Sequence, residues 1–302
     1  MRVGLYKHVI DQGQGAAAIA RLALSALKRP SGPAPMVPGP WVEVTQPPRR
    51  PALVRDYLLE NGGDPEVWGQ ELPPHLFAQF GIPLAMQVIA GLPYPVQRTL
   101  NAGCAWLKRT PLPAHEPLDV RARLSALDDD GSRVRATVQI VTGTATAPDG
   151  LEAEMRVFIP LSRKRKGPKQ GGNDEAKRAL GTVPFGAKEV SRLSIGADAG
   201  AVFAALTGDF NPIHWLPPAA WAAGFNSCIL HGFAMHTRAV EALGASLPGK
   251  VRSLKAVDVK FSRPLVLPAE IGLYTQGNEF WLGSGPGAPA HLIGWYQEEE
   301  RQ

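Results

Sequence analysis

The stretch Thr207-Gly208-Asp209-Phe210-Asn211-Pro212-Ile213-His214, followed by Ile229-Leu230-His231-Gly232-Phe233, decides how the rest of the chain is read. Gly208 suits the left-handed conformation that ends a helix. Asp198 is placed to cap the start of that helix, whose Val202, Phe203 and Leu206 share one face. Pro212 pushes Asn211 away from helical geometry, so Asp209 to His214 should form an ordered loop. A loop turns the Asp209 and His214 side chains toward one point, whereas a helix would hold them on different faces. A carboxylate and an imidazole around one water form a general acid–base pair, each tunable by burial. Taken alone, the two residues also admit a plainer reading, with Asp209 as a helix cap and His214 as a satisfied core histidine.

Working outward, Pro217–Ala223 reads as a short helix that ends near Gly224-Phe225. A longer helix opens at Ile229–Phe233 and runs to about Leu243. Its Ile229, Leu230, Phe233, Val240 and Leu243 recur at helical spacing, as a buried central helix requires. Gly232 differs from these, because glycine in a first helical turn costs stability. It is therefore read as letting something approach the backbone. A carbonyl oxygen docked there would meet free N–H groups and the positive end of the helix dipole. A metal site built from Asp209, His214, His231 and His236 is disfavoured. The last two are five apart, and facing helix positions are three or four apart.

Strand signals lie on either side of a break. Leu118–Leu127, a turn at Asp128-Asp129-Asp130-Gly131, Arg133–Thr142 and Leu151–Pro160 predict an antiparallel sheet in the first half. Helical patterning precedes it at Leu53–Leu59 and from Leu76 to about Leu92, interrupted by Gly81 and Pro83. The second half repeats the order, with strands at Glu189–Ile195, Val251–Arg263, Ile271–Gln276 and His291–Gln297. Two halves, each wrapping an antiparallel sheet around a central helix, make an α+β fold. Residues 164–188 lack periodicity and carry Arg163-Lys164-Arg165-Lys166 at their edge, as a basic flexible linker would. The expected organisation is an N-terminal extension over 1–50, repeats over 51–163 and 189–302, and that linker between them.

Composition sets the outer bounds. The 302 residues are 44% hydrophobic and 20% charged, which is ordinary for a soluble globular chain of one large or two medium domains. The net charge of +5 is drawn largely from the basic run, and no nucleic-acid motif accompanies it. Cys104 and Cys228 follow no metal or redox spacing and fit reduced thiols in the cytoplasm. The apolar stretch around Ala16–Leu27 reads as an amphipathic surface helix. It is too short and too interrupted for a span of ~20 apolar residues, so no membrane span is predicted.

The quoted segments resemble the MaoC-like, (R)-specific enoyl-CoA hydratases, a family of hotdog-fold proteins. The family signature Gly-Asp-x-Asn-Pro-x-His is met by Gly208 to His214. Its Ala and Gly-Phe are met by Ala219 and Gly224-Phe225, and its Ile-x-His-Gly-hydrophobic by Ile229 to Phe233. Val259-Lys260-Phe261-Ser262-Arg263-Pro264 resembles the later strand ending in Phe-x-x-Pro. The first half is loosely similar to the N-terminal repeat of double-hotdog hydratases, at Leu72-Pro73-Pro74-His75-Leu76-Phe77, Asn101-Ala102-Gly103, Arg109-Thr110-Pro111-Leu112 and Leu118–Arg123.

The resemblance implies a double hotdog whose first repeat is catalytically silent and offers acyl-binding space. It implies hydration of trans-2-enoyl thioesters to (R)-3-hydroxyacyl thioesters, or the reverse, with Asp209 and His214 activating water. Gly232 would donate to the thioester oxygen, and Asn211, Trp215 and His231 would bind substrate or order the loop. The chemistry needs no cofactor and no metal. The substrate handle would be coenzyme A or an acyl carrier protein, on a monomeric pseudo-dimer or a homodimer. One departure stands out: the family often has an acidic residue two positions after the histidine, where this chain has Trp215-Leu216-Pro217. A hotdog thioesterase and a non-catalytic acyl-thioester-binding subunit are the competing expectations.

Overall fold

The computed structural model describes residues 6–9, 12, 32–33, 35–161 and 181–299. The basic run at 163–166 and the apolar stretch at 16–27 lie outside these residues. The described chain builds one ten-stranded antiparallel sheet in the order β1-β3-β4-β5-β2-β7-β10-β9-β8-β6. In the first half the strands are β1 (Val42–Gln46), β2 (Leu100–Lys108), β3 (Leu118–Asp129), β4 (Arg133–Gly143) and β5 (Leu151–Pro160). In the second they are β6 (Lys188–Ile195), β7 (Leu254–Phe261), β8 (Ala269–Gln276), β9 (Glu279–Gly283) and β10 (Ala290–Glu298).

The order is palindromic. Within each half, the first strand pairs with the third, the third with the fourth, the fourth with the fifth, and the fifth with the second. The halves join through their second strands, with Cys104 opposite Val259 and Ala105 opposite Asp258. Gly103 stands at a bulge in β2 and has φ 156°. A Cβ there would collide with the Val259 carbonyl, so only glycine lets the two halves close into one sheet.

Alternation explains the strands. Every second residue of β5 is buried from Leu151 to Ile159, and Val134, Ala136, Val138 and Ile140 do the same in β4. The inward faces of β3 and β4 receive α5 (Ile82–Ala90), which follows α2 (Pro51–Glu60), α3 (Pro65–Trp68) and α4 (Phe77–Phe80) in the first half. The second half supplies α6 (Ala199–Thr207), α7 (Pro217–Ala222) and α8 (Gly232–Ser246); α1 is the short turn Tyr6–Val9. Helix α8 is buried along most of its length, from Phe233 to Glu241 and again at Leu243 and Gly244. Phe77 of α4 meets Phe233 of α8 edge-to-face, with centroids 5.7 Å apart, so the two central helices touch across the join.

The helix expected over Leu76–Leu92 breaks at Gly81, where the sequence already marks an interruption, into α4 and α5 behind a 3-10 turn at Pro74–Leu76. A Cβ on Gly81 would lie 3.0 Å from Ile140 Cγ2, so the break lets the chain pass close to β4. Within the stretch expected to be an N-terminal extension, Val42–Gln46 forms an edge strand paired to β3. Asp198 sits at the start of α6, but its side chain makes no capping hydrogen bond. Strand β9 drew no prediction. Among the described residues, no helix is long and apolar enough to cross a membrane.

Candidate active site

Helix α6 ends as its sequence requires. Gly208 takes φ 81° and ψ 7°, and its N–H closes on Ala204 O at 2.9 Å. The chain then turns through Asp209 and Phe210. Asn211 caps the 3-10 turn Pro212–His214, its side-chain oxygen accepting from Ile213 N at 3.4 Å. Asp209 Oδ1 accepts from Asn211 N at 3.3 Å, a local bond that stiffens the loop. Trp215 donates its indole N–H to Phe210 O at 3.1 Å and lies 40% exposed. Asn211 is thus a loop-ordering residue by its contacts, and Trp215 straps the loop from outside.

The loop brings Asp209, His214 and His231 together, with side-chain nitrogen and oxygen atoms within 4.8 Å of one another. His214 Nδ1 lies 2.8 Å from Ile229 O. A carbonyl oxygen only accepts, so Nδ1 carries the proton and Nε2 keeps its lone pair. His231 Nε2 lies 3.0 Å from Asp209 O and by the same argument donates to it. The two rings stack at 3.7 Å between centroids, inclined by 28°. His231 is fully buried, whereas the Asp209 side chain is 37% exposed, so the cluster is open on the carboxylate side.

Electrostatics keep both rings neutral. Burial pulls the His214 pKa below its usual value, against the opposing pull of the Asp209 carboxylate. Burial, helped by repulsion from His214, pulls His231 down to about 3. His214 is thereby a neutral base beside a carboxylate. His231 is a floor that fixes the Asp209 backbone, and its Nδ1 is buried with no hydrogen-bond partner.

This arrangement does not suit a cation. Imidazoles ligate through lone pairs in the ring plane, and two stacked rings do not aim those lone pairs at one point. His236 stands elsewhere, accepting the Trp106 indole N–H at 3.1 Å in the interface between the halves.

Gly232 opens α8 directly after His231. As the first residue of the helix it has no intrahelical acceptor for its N–H. Its close neighbour is the Phe261 ring, 2.7 Å from where a Cβ would stand, so packing alone already demands glycine. Sequence reasoning missed a second close approach. A Cβ on Gly200, in the first turn of α6, would collide with the His214 carbonyl. Its only sequence signal was a glycine inside a helical pattern, the same signal read at Gly232. The stacking role of His231 was missed as well.

Fold and site together define the class: a double hotdog whose second half carries an Asp–His loop against the start of the central helix. Residues 182–280 match the family described as the MaoC like domain. The 3-hydroxyacyl-thioester dehydratase X of Mycobacterium tuberculosis is 26% identical over 253 residues, covering 81% of this chain and 83% of that protein. The (R)-specific enoyl-CoA hydratase of Aeromonas caviae is 36% identical over 83 residues, covering 27% of this chain and 62% of that protein. The crystal structure of HtdX from M. tuberculosis superposes with a TM-score of 0.66 at 21% identity, spanning 86% of this chain and all of that one.

Proposed function

We propose that this chain is a hydro-lyase that adds water to trans-2-enoyl thioesters, giving (R)-3-hydroxyacyl thioesters, and runs the reverse dehydration. The observation that carries this reading is the locked His214 tautomer, which leaves Nε2 free as a base beside the Asp209 carboxylate. Water held by this pair attacks C3, and the pair takes up its proton. A proton is returned to C2, and the negative charge that develops in between rests on the thioester oxygen. The two proton transfers are assigned to the Asp209–His214 pair together, not to either residue singly. The N–H of Gly232 is the proposed donor to the thioester oxygen, at a helix start where the dipole favours negative charge. His231 holds the Asp209 backbone and the His214 ring in place.

The names of the two relatives support the reaction type, since one is a 3-hydroxyacyl-thioester dehydratase and the other an (R)-specific enoyl-CoA hydratase. In this proposal the first half is silent and shapes acyl-binding space, and coenzyme A or an acyl carrier protein carries the acyl group. A monomer already contains both halves, and a homodimer is compatible with the same site. The free, buried Cys104 and Cys228 suit the reducing cytoplasm, where we place the protein.

The test is loss of the enoyl-thioester absorbance on adding protein to crotonyl-CoA and then 2-decenoyl-CoA, with chiral analysis of the product. Absorbance loss with (R) product supports the proposal. Release of free thiol from a saturated acyl-CoA would make the protein a thioesterase instead. Binding of enoyl-CoA or enoyl-carrier protein without turnover would make it a silent acyl-binding subunit.

A further inference from the structure

The loop after α2 has the build of the loop after α6. In each half a helix runs into a left-handed glycine, Gly62 or Gly208, both at φ 81°. An Asx-Pro pair follows, in which Asp64 accepts from Glu66 N at 3.0 Å just as Asn211 accepts from Ile213 N. Each loop then leads to a histidine ahead of the central helices, His75 in one half and His231 in the other. The reactive groups are missing from the first copy. Gly63 follows the left-handed glycine where Asp209 follows its own, and Val67-Trp68 stand where the other half has His214-Trp215.

The vacated place is filled by a carboxylate from the opposite half. Glu241 of α8 is buried, and its Oε1 lies 2.7 Å from His75 Nε2 and 2.9 Å from Trp68 Nε1. A Cβ on Gly63 would lie 2.7 Å from Glu241 Cδ and 2.9 Å from its Oε2, so a side chain at 63 would evict the carboxylate.

One turn nearer the start of α8, Thr237 meets the Tyr57 hydroxyl at 2.7 Å and donates to Phe233 O at 3.0 Å. Arg238 donates to Asn61 Oδ1 at 2.6 Å and Glu60 O at 3.0 Å, and also to Ala234 O at 3.2 Å. The carbonyls beside Gly232 are thus held by side chains that the first half holds in turn. Removing one member of such a buried network leaves charged or polar groups without compensation, so the helix must shift or open.

We infer that Glu241 is a positioning residue: the silent half has turned its lost catalytic loop into a socket for this carboxylate, and the socket sets where the start of α8 stands relative to Asp209 and His214. The inference rests on the hydratase reading for its kinetic readout only.

The experiment compares full-length Glu241→Ala, Glu241→Gln and Gly63→Ala with wild type on crotonyl-CoA, at a temperature where circular dichroism shows each folded. Glu241→Ala and Gly63→Ala are expected to lower kcat about 10- to 100-fold with KM within about threefold, the scale of an ångström-sized misplacement. Glu241→Gln, whose amide oxygen accepts the same two N–H groups, is expected to recover kcat to within about threefold. A Glu241→Ala kcat close to wild type with only a lowered melting temperature overturns the inference, as does a glutamine variant no better than alanine.

If Glu241→Ala does not fold, Gly63→Ala decides, and an unchanged kcat there overturns the inference. If wild type leaves crotonyl-CoA untouched, it is the hydratase reading that fails. Long-range 1H–15N spectra of the His214 and His231 rings then decide: displaced signals in the folded variants support the socket, and unmoved signals overturn it.

Discussion

The loops at 61–68 and 208–215 are two versions of one local structure. Both have the left-handed glycine, the Asx cap and the proline, because those features shape the backbone and are needed whatever the loop does. They differ where side chains leave the backbone. Asp209 and His214 face a cluster left open on the carboxylate side, while in the first half the corresponding space is closed by Trp68 and Glu241. Backbone plan and chemistry separate cleanly in this molecule. The turn persists in both halves, and a few side chains decide whether it surrounds a reaction or a packed helix.

The largest expected effect breaks this comparison at its chemical residues. His214→Ala should lower kcat by about 10²–10⁴-fold, the usual contribution of a general base. Val67→Ala, at the matching place in the first half, should cost stability and leave kcat within about threefold. Steady-state kinetics on both, with melting curves, checks the contrast. Equal kinetic losses would mean that the first half is not silent.

Next comes Gly200→Ala. Its new methyl must push the His214 carbonyl away, so kcat should fall by about 10-fold or more through displacement of the loop. The same assay checks it, with circular dichroism to show the fold retained.

Acid should unfold the protein through its buried histidines. His231 and His236 both have pKa values of about 3, depressed first by burial, and the unfolded chain binds these protons near pH 6.5. The unfolded state therefore holds more protons between these limits, so stability is full above about pH 6.5 and falls as pH drops toward about 3. The slope is on the order of 1 kcal/mol per pH unit for each histidine. Urea melts from pH 7 to pH 4 measure it, and His236→Gln should flatten the dependence if the folded state remains intact. A flat profile in wild type would contradict the burial of these rings.

The smallest effect sharpens the role of the strap. Trp215→Phe keeps the ring and removes the N–H to Phe210 O, a loss of about 1 kcal/mol. A fall in kcat of severalfold at most is expected, with no change in product stereochemistry.

Much of this was legible in the sequence because it lies in backbone-directing residues. Gly208 and Pro212 forced an ordered loop, and the loop put Asp209 near His214. Alternation in Arg133–Gly143 and Leu151–Pro160 marked their strands, since each has one face inside. Short segments without a strong period were missed: Val42–Gln46 is five residues behind a proline-rich lead, and Glu279–Gly283 is equally short. The break at Gly81 was marked by a glycine inside the helical pattern, whereas the His231–His214 stack joins residues from separate segments and leaves no local pattern. The repeated Asx-Pro turn at Asp64-Pro65 was in plain view, but without its histidine and aspartate it resembled any other turn.

The most direct test of the account is Asp209→Asn in crotonyl-CoA hydration. An asparagine oxygen at this position still accepts from Asn211 N, so the loop keeps its internal bond while the carboxylate is lost. The Asp209→Asn kcat is expected to fall by about 10²-fold or more with the circular dichroism spectrum unchanged. A folded Asp209→Asn protein that hydrates crotonyl-CoA at the wild-type rate would contradict it.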